Sequence, residues 1–242
     1  METEVEKRGD YWFKRDDQFE MAGVRGGKVR SCWNLAQGAK GLVTAGSKQS
    51  PQVQIVAHVA AKLGIPCRVH VPWGNLSPEL ESAKSLGAEI VQAKPGFNSI
   101  IISRAKKDAK ELGWTEIPFG MECEEAIVQT ALQVQNIPLE VERIVVPVGS
   151  GMSLCGILHG LKNRKIDIPV IGIQVGADPT KRLIQYAPVD IHYELLKSDL
   201  PYHERYPSPM FQGIELDPIY EAKCIPFLKP NDLLWIVGIR KS

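Results

Sequence analysis

The chain has 242 residues, enough to bury a sizeable core, and its 44% hydrophobic and 24% charged side chains are the balance of an ordinary globular protein. Its 29 basic and 28 acidic residues leave a net charge of +1, so charge advertises neither a nucleic-acid nor a membrane partner, and no apolar run approaches the roughly 20 residues needed to cross a bilayer. Cys32, Cys67, Cys123, Cys155 and Cys224 are scattered without a CxxC pair, which argues against a disulfide framework or a zinc site, and the charged start at 1–10 makes the cytoplasm the expected location.

In chain order the apolar periodicity predicts a strand over 11–14, a helix over 29–37 closed by Gly38, and a strand over 42–45. A helix over 52–63 ending at Gly64, a strand over 67–71, a helix over 78–86 ending at Gly87 and a strand over 89–91 complete a βαβαβ unit. A helix over 98–112, a strand over 115–117 and an amphipathic helix over 124–134 follow. The strongly apolar strand 143–148 runs through a glycine turn into a helix over 154–161, with 170–175 as the next strand. Such alternation predicts an α/β fold of mostly parallel twisted sheets flanked by helices, with ligands at the carboxyl ends of the strands. Residues 186–210, with Pro188, Pro201, Pro207 and Pro209 among Tyr and His, predict an irregular surface segment or lid, and 233–237 a last core strand. Two lobes are expected: a larger one of 1–40 with 121–242, and a smaller βαβ lobe of 41–120.

Three stretches carry candidate chemistry. In Gly26-Gly27-Lys28-Val29-Arg30, a lysine behind two glycines at the start of a helical pattern can approach a ligand closely with its amine aimed, which makes Lys28 the candidate reactive residue. The turn Gly149-Ser150-Gly151-Met152-Ser153 between strand and helix lets backbone amides converge on an anion at a helix amino end, although such turns are also common as plain structure. It is neither a Walker loop nor a dinucleotide fingerprint, because no Gly-Lys-Ser/Thr follows and the glycine spacing is wrong. Asp217 and Pro218 predict the cap and first position of a helix with Tyr220 and Glu221 in its first turn, where a carboxylate is also ordinary capping electrostatics. His58 and His159 read as packing or surface residues, His192 and His203 as the better candidates for substrate contact, and Trp12, Trp33 and Trp235 as core. The basic runs 104–110 and 162–165 read as solvated faces.

Together with Phe13-Lys14-Arg15-Asp16-Asp17 and the Gln49-Ser50 loop, these motifs in order resemble the fold-type II (tryptophan synthase beta-like) pyridoxal phosphate enzymes. The nearest branch is that of 1-aminocyclopropane-1-carboxylate deaminase and D-cysteine desulfhydrase. The resemblance implies a shortened member of that fold, with pyridoxal 5'-phosphate as cofactor in the larger lobe and a homodimeric assembly. It assigns the Schiff base to Lys28, the phosphate to Gly149, Ser150, Gly151, Met152 and Ser153, and the substrate carboxylate to Ser50 with Ser47, Gln49 and Gln52. Tyr220 would lie beside the reacting carbon and Glu221 beside the pyridine nitrogen. The departures are Gly27 in place of the usual asparagine, and Pro51, which has no N–H to donate to the cofactor's phenolic oxygen. The implied function is a lyase that acts at the alpha carbon of a small amino acid by deamination, elimination or decarboxylation. Two alternatives stand beside it: a phage DNA hypermodification enzyme that decarboxylates or otherwise processes an amino acid attached to thymidine, and a degenerate, non-catalytic cofactor-binding protein.

Overall fold

A computed structural model describes residues 2–94 and 98–238. Strands β1 (Val5–Arg8) and β2 (Tyr11–Arg15) are followed by the small hairpin β3 (Glu20–Met21) and β4 (Val24–Arg25) and by α1 (Lys28–Leu35). Then come β5 (Leu42–Ala45), α2 (Pro51–Leu63), β6 (Cys67–Pro72), α3 (Pro78–Ser85), β7 (Glu89–Ala93), α4 (Asn98–Leu112), β8 (Thr115–Ile117) and α5 (Glu124–Leu132). The chain continues with β9 (Arg143–Val148), α6 (Met152–Arg164), β10 (Val170–Gln174), α7 (Thr180–Tyr186) and β11 (Tyr193–Lys197). A hairpin of β12 (Met210–Phe211) and β13 (Ile214–Glu215), a 3-10 segment at Glu221–Phe227 and β14 (Asp232–Ile236) complete it. Two compact units result, Met1–Phe19 with Ala126–Ser242 and Glu20–Glu125.

The second of these, Glu20–Glu125, is built on an all-parallel sheet of order β7-β6-β5-β8. Its helices start and stop where local chemistry dictates. Ser50 caps α2 with Pro51 at the first helical position, and Gly64 closes it at φ +68°. Ser77 and Pro78 begin α3 in the same way. Arg68 and His70 of β6 share Asp108 of α4, both at 2.9 Å, which ties that helix to the sheet.

The first unit carries a sheet of order β1-β2-β14-β9-β10-β11, parallel except for the antiparallel edge pair of β1 and β2. β9 is central and almost wholly buried, yet contains Pro147. The pairing with β14 ends at Val145, so the proline lies beyond the ladder that would need its missing N–H. Phe13, Val145, Ile173, Leu216, Leu234 and Ile236 build one core cluster of this unit. Helix α6 lies close to α5 through two glycines. A Cβ on Gly160 would fall 2.4 Å from Val134 Cγ2 and 2.7 Å from the Ala131 carbonyl oxygen.

The α/β class and parallel sheets are those expected from the sequence, and three local readings change. The segment expected to be irregular carries β11, which pairs in parallel with β10 from Val170 with Tyr193 to Gln174 with Lys197. Its prolines all fall outside 193–197, and as an edge strand with one paired side it shows only a weak burial alternation. The antiparallel β1 was hidden in the charged amino-terminal stretch for the same reason. The helix expected to hold Tyr220 and Glu221 in its first turn is instead a 3-10 segment that begins at Glu221, with Tyr220 just before it and Pro226 inside. Asp217 does cap, accepting from the amides of Ile219 at 2.8 Å and Tyr220 at 3.0 Å, but Pro226 lacks the donor a regular α-helix would use. Among the described residues no helix is long and apolar enough to cross a membrane.

Gly160→Ala tests the close approach of α6. Alanine is the better helix former by about 1 kcal/mol, yet overpacking against Val134 and the Ala131 carbonyl is expected to cost a net of about 2 kcal/mol. Thermal unfolding should then shift down by about 4–8 °C for a chain of this size; an unchanged or higher midpoint would refute the close contact.

Candidate active site

In Glu20–Glu125, Gly26 takes φ +119°, a backbone region that side-chain-bearing residues rarely adopt, and the chain turns there into α1. Lys28 is the first residue of that helix and is half-buried, while Val29, Arg30, Ser31 and Cys32 behind it are buried and α1 packs on α2. The amine is thus carried by the first turn of an anchored helix. The loop after β5 turns through Ser47, whose carbonyl accepts from the Ser50 amide at 3.0 Å. Ser50 Oγ accepts from the Gln52 amide at 3.3 Å as the cap of α2, and Gln49 is exposed. Gln52 is turned inward, donating to Thr44 Oγ1 at 3.0 Å and to the Pro118 carbonyl at 2.6 Å. Pro51 has a local explanation: it opens α2, where no N–H is required.

In the other unit the site candidates gather at the carboxyl edge of the parallel strands. β9 ends at Val148, the chain turns through Gly149, Ser150 and Gly151, the last at φ +94°, and α6 starts at Met152 with no side chain capping its first turn. The Tyr220 ring lies over this turn, such that a Cβ on Gly149 would be 3.1 Å from Tyr220 Cε1. Beside it stands Tyr202, which the sequence reading passed over as part of a proline-rich surface segment. Its hydroxyl accepts from that of Tyr220 at 3.4 Å, and the two rings meet edge to face with centroids 5.8 Å apart. The Tyr202 ring also covers Gly176, at the carboxyl end of β10. His192 immediately precedes β11 and so lies at the opposite end of the parallel sheet, about 16 Å away for a five-residue strand; His203 adjoins Tyr202 and is exposed.

Glu221 is 2% exposed. Its Oε1 accepts from the amides of Val237 at 3.0 Å and Gly238 at 3.3 Å, just past the end of β14, while Oε2 is buried with no hydrogen-bond partner among the described residues. Burial first, and the neighbouring charge of Asp217 second, push this carboxyl well above the usual carboxylate range, against the pull of its own amide and those of Gly238 and Val237.

The polar side chains of the Phe13 to Asp17 motif bond inward, within this unit. Lys14 is buried and donates to the Thr3 carbonyl at 2.8 Å and to Asn136 Oδ1 at 2.7 Å. Asp16 accepts from Thr3 Oγ1 at 2.6 Å and Trp235 Nε1 at 3.2 Å, and Arg15 pairs with Asp17 through two bonds. The motif fixes β2 and the chain start around Trp235.

Residues 4–206 match the family described as pyridoxal-phosphate dependent enzyme. The chain belongs to that family. A probable 1-aminocyclopropane-1-carboxylate deaminase of Schizosaccharomyces pombe is 25% identical over 87% of this chain and 77% of its own length. The 1-aminocyclopropane-1-carboxylate deaminase of Pseudomonas syringae pv. tomato is 28% identical over 88% and 78%. Among solved structures, an ACC deaminase homologue superposes with a TM-score of 0.86 at 22% identity, covering 98% of this chain and 89% of that one. Threonine deaminase isoform 2 of Solanum lycopersicum gives 0.67 at 15% identity over 96% and 75%. These likenesses place the fold among fold-type II enzymes, near the deaminase branch, and the family's cofactor is pyridoxal phosphate.

The residues present fit that cofactor. A helix amino end without a side-chain cap, behind a turn with Gly149 tight against Tyr220 and Gly151 at φ +94°, suits a phosphate. A buried carboxyl with one oxygen unpartnered suits a ring nitrogen that shares its proton. Among the described residues no cluster of three or more His, Cys, Asp or Glu could hold a metal ion.

The Glu221 environment sets a pH dependence. A raised folded pKa stabilises the fold below the unfolded value, near 4.3, and that stability is lost as pH rises toward the folded pKa. In cofactor-free protein, Glu221→Gln should therefore gain thermal stability relative to the parent between pH 5 and pH 8, and added pyridoxal phosphate should stabilise the parent more than the variant. A difference between the two midpoints that does not change with pH would contradict the burial argument.

Proposed function

We propose that this chain is a pyridoxal phosphate-dependent lyase acting at the alpha carbon of a small amino acid, with deamination as the outcome, in keeping with the deaminases among its relatives. The observation that carries the reading is the buried Glu221 carboxyl with Oε2 unpartnered, an arrangement costly to the fold and useful for holding a proton on a heteroaromatic nitrogen. When bound, the cofactor supplies a ring that accepts the electron pair released at the alpha carbon. Lys28 provides the amine that tethers it and then moves a proton at the alpha carbon. Gly149, Ser150, Gly151, Met152 and Ser153 hold the phosphate through backbone amides and the α6 amino end. Glu221 Oε2 keeps the ring nitrogen protonated, and the Tyr220 hydroxyl is a second acid or base. Ser50, with Ser47 and Gln49, orients the substrate carboxylate; Gln52 acts from behind by fixing the start of α2 through Thr44 and Pro118.

Borohydride reduction and peptide mapping should find the cofactor fixed on Lys28, and Lys28→Ala should fix none. Products from a panel of amino acids, headed by 1-aminocyclopropane-1-carboxylate, then identify the bond broken by mass spectrometry. Glu221→Gln should retain fixed cofactor and lose turnover by about tenfold or more, the factor for about 1.4 kcal/mol. Fixed cofactor in Lys28→Ala, or parent turnover in Glu221→Gln, refutes the assignment.

A second reading, in which the amino acid is carried on thymidine in DNA, is favoured by Trp73. This side chain is 64% exposed, just past the carboxyl end of β6 and beside the loop after β5, because Lys48 Nζ lies against Gly74. An exposed indole with a lysine at its side is a stacking platform for a base, worth about 1–3 kcal/mol. Under this reading Trp73→Ala raises KM for an amino-acid-modified thymidine by about tenfold or more and leaves KM for the free amino acid unchanged; equal effects on both exclude it.

A further inference from the structure

Lys223 is a lysine with 1% exposure, two residues beyond Glu221 in the 3-10 segment. Its Nζ donates to the Pro201 carbonyl at 2.6 Å and lies 3.4 Å from the Tyr202 carbonyl. Burying a polar amine is costly, and a chain that only needed to cover apolar surface here would be better served by a methionine. What the amine adds is a short bond of fixed direction to the Pro201 carbonyl and a longer one to that of Tyr202. These carbonyls lie where the segment after β11 leaves the sheet. Ser198 ties the segment's start to the Gln174 carbonyl at 3.0 Å, the Pro201 carbonyl also accepts from the Glu204 amide at 3.1 Å, and the Tyr206 amide donates to the Pro218 carbonyl at 2.8 Å. With both ends held in this way, the backbone at 201–202 fixes where the Tyr202 ring sits: over Gly176 and edge to face with Tyr220.

We propose that Lys223 is a positioning residue for the reaction. By gripping the carbonyls of Pro201 and Tyr202 it seats the Tyr202 hydroxyl beside that of Tyr220, so that the two phenols hold and pass a proton as a pair at the carboxyl edge of the sheet. Lys223 does not touch the substrate, and its effect on turnover runs through Tyr202. The inference rests on the lyase reading for its consequence in turnover, whereas the grip itself rests on the hydrogen bonds alone.

The experiment takes the holoenzyme and the amino acid it turns over fastest, with amide hydrogen exchange measured alongside. Lys223→Met should raise exchange over 200–206 and lower kcat by about tenfold, with KM and the borohydride-fixed cofactor held within about twofold and the pH profile of kcat altered. Lys223→Arg, which keeps the donors, should recover most of kcat. Tyr202→Phe should slow turnover and alter the pH profile as Lys223→Met does, and the double variant should be no slower than Tyr202→Phe alone, since residues acting as a unit are not additive. Parent kcat and pH profile in Lys223→Met overturn the proposal, as does a Lys223→Met penalty of undiminished size in the Tyr202→Phe background. Should Lys223→Met fail to fold, Tyr202→Phe decides: parent turnover with the parent pH profile sinks it. Absence of fixed cofactor on Lys28 in the parent is the separate signature of a failed lyase reading. In that case unchanged exchange over 200–206 in Lys223→Met, or in Lys223→Gln if the methionine variant does not fold, still overturns the grip.

Discussion

Burying the Glu221 carboxyl is the constraint around which the first unit is arranged. An acid removed from water must keep a proton or find donors, and Glu221 takes two from the main chain just past β14. β14 lies in the middle of the sheet, between β2 and β9, so the carboxyl is held at the end of a strand paired on both sides. The approach to it is correspondingly irregular. Asp217 turns the chain with two side-chain bonds, the 3-10 segment replaces a regular helix, and Pro226 keeps it short.

The same carboxyl edge explains the pattern of small residues. Parallel strands leave their ends to be finished by loops, and ligands in open α/β sheets bind at those ends. At β9 the Tyr220 ring packs tightly on the turn, 3.1 Å from where a Gly149 Cβ would lie, and at β10 the Tyr202 ring comes to 3.3 Å from that of Gly176, whose φ of +116° itself favours glycine. Pro147 is tolerated within β9 only because β14 has already stopped pairing there. Main-chain amides, two phenols and one buried carboxyl are therefore brought to one end of one sheet. Lys14, Asp16 and Trp235, by contrast, spend their polar groups on each other and on Thr3 and Asn136, although β2 and β14 end at the same carboxyl edge.

The polar residues of the chain thus fall into two kinds that sequence alone separates poorly. Phe13 to Asp17 and Asp217 to Glu221 both stand out as charged, motif-like runs, yet the first is an inward clamp with its bonds satisfied and the second ends in an oxygen without a partner. Gln52 is a similar case: its place in the loop suggests a ligand contact, whereas its amide nitrogen is committed to Thr44 and Pro118. Which of two buried polar groups is structural depends on what surrounds it, and that is decided by residues far away in the chain.

The sequence by itself determined the α/β class and most strands and helices, because apolar periodicity, Ser-Pro caps and closing glycines are local signals that tertiary contacts reinforce. It also determined the candidates: Lys28 behind its glycines, the turn at 149–153 and Glu221 after Asp217 are legible since each needs only its neighbours to be recognised. Only the tertiary structure decided that β1 and β11 are strands, for an edge strand takes its conformation from one partner and carries little pattern of its own. It alone joined Tyr202 to Tyr220 and to Lys223. Their meeting depends on Tyr206 bonding back to Pro218 and on β11 running beside β10, contacts between segments separated in sequence that no spacing of residue types encodes.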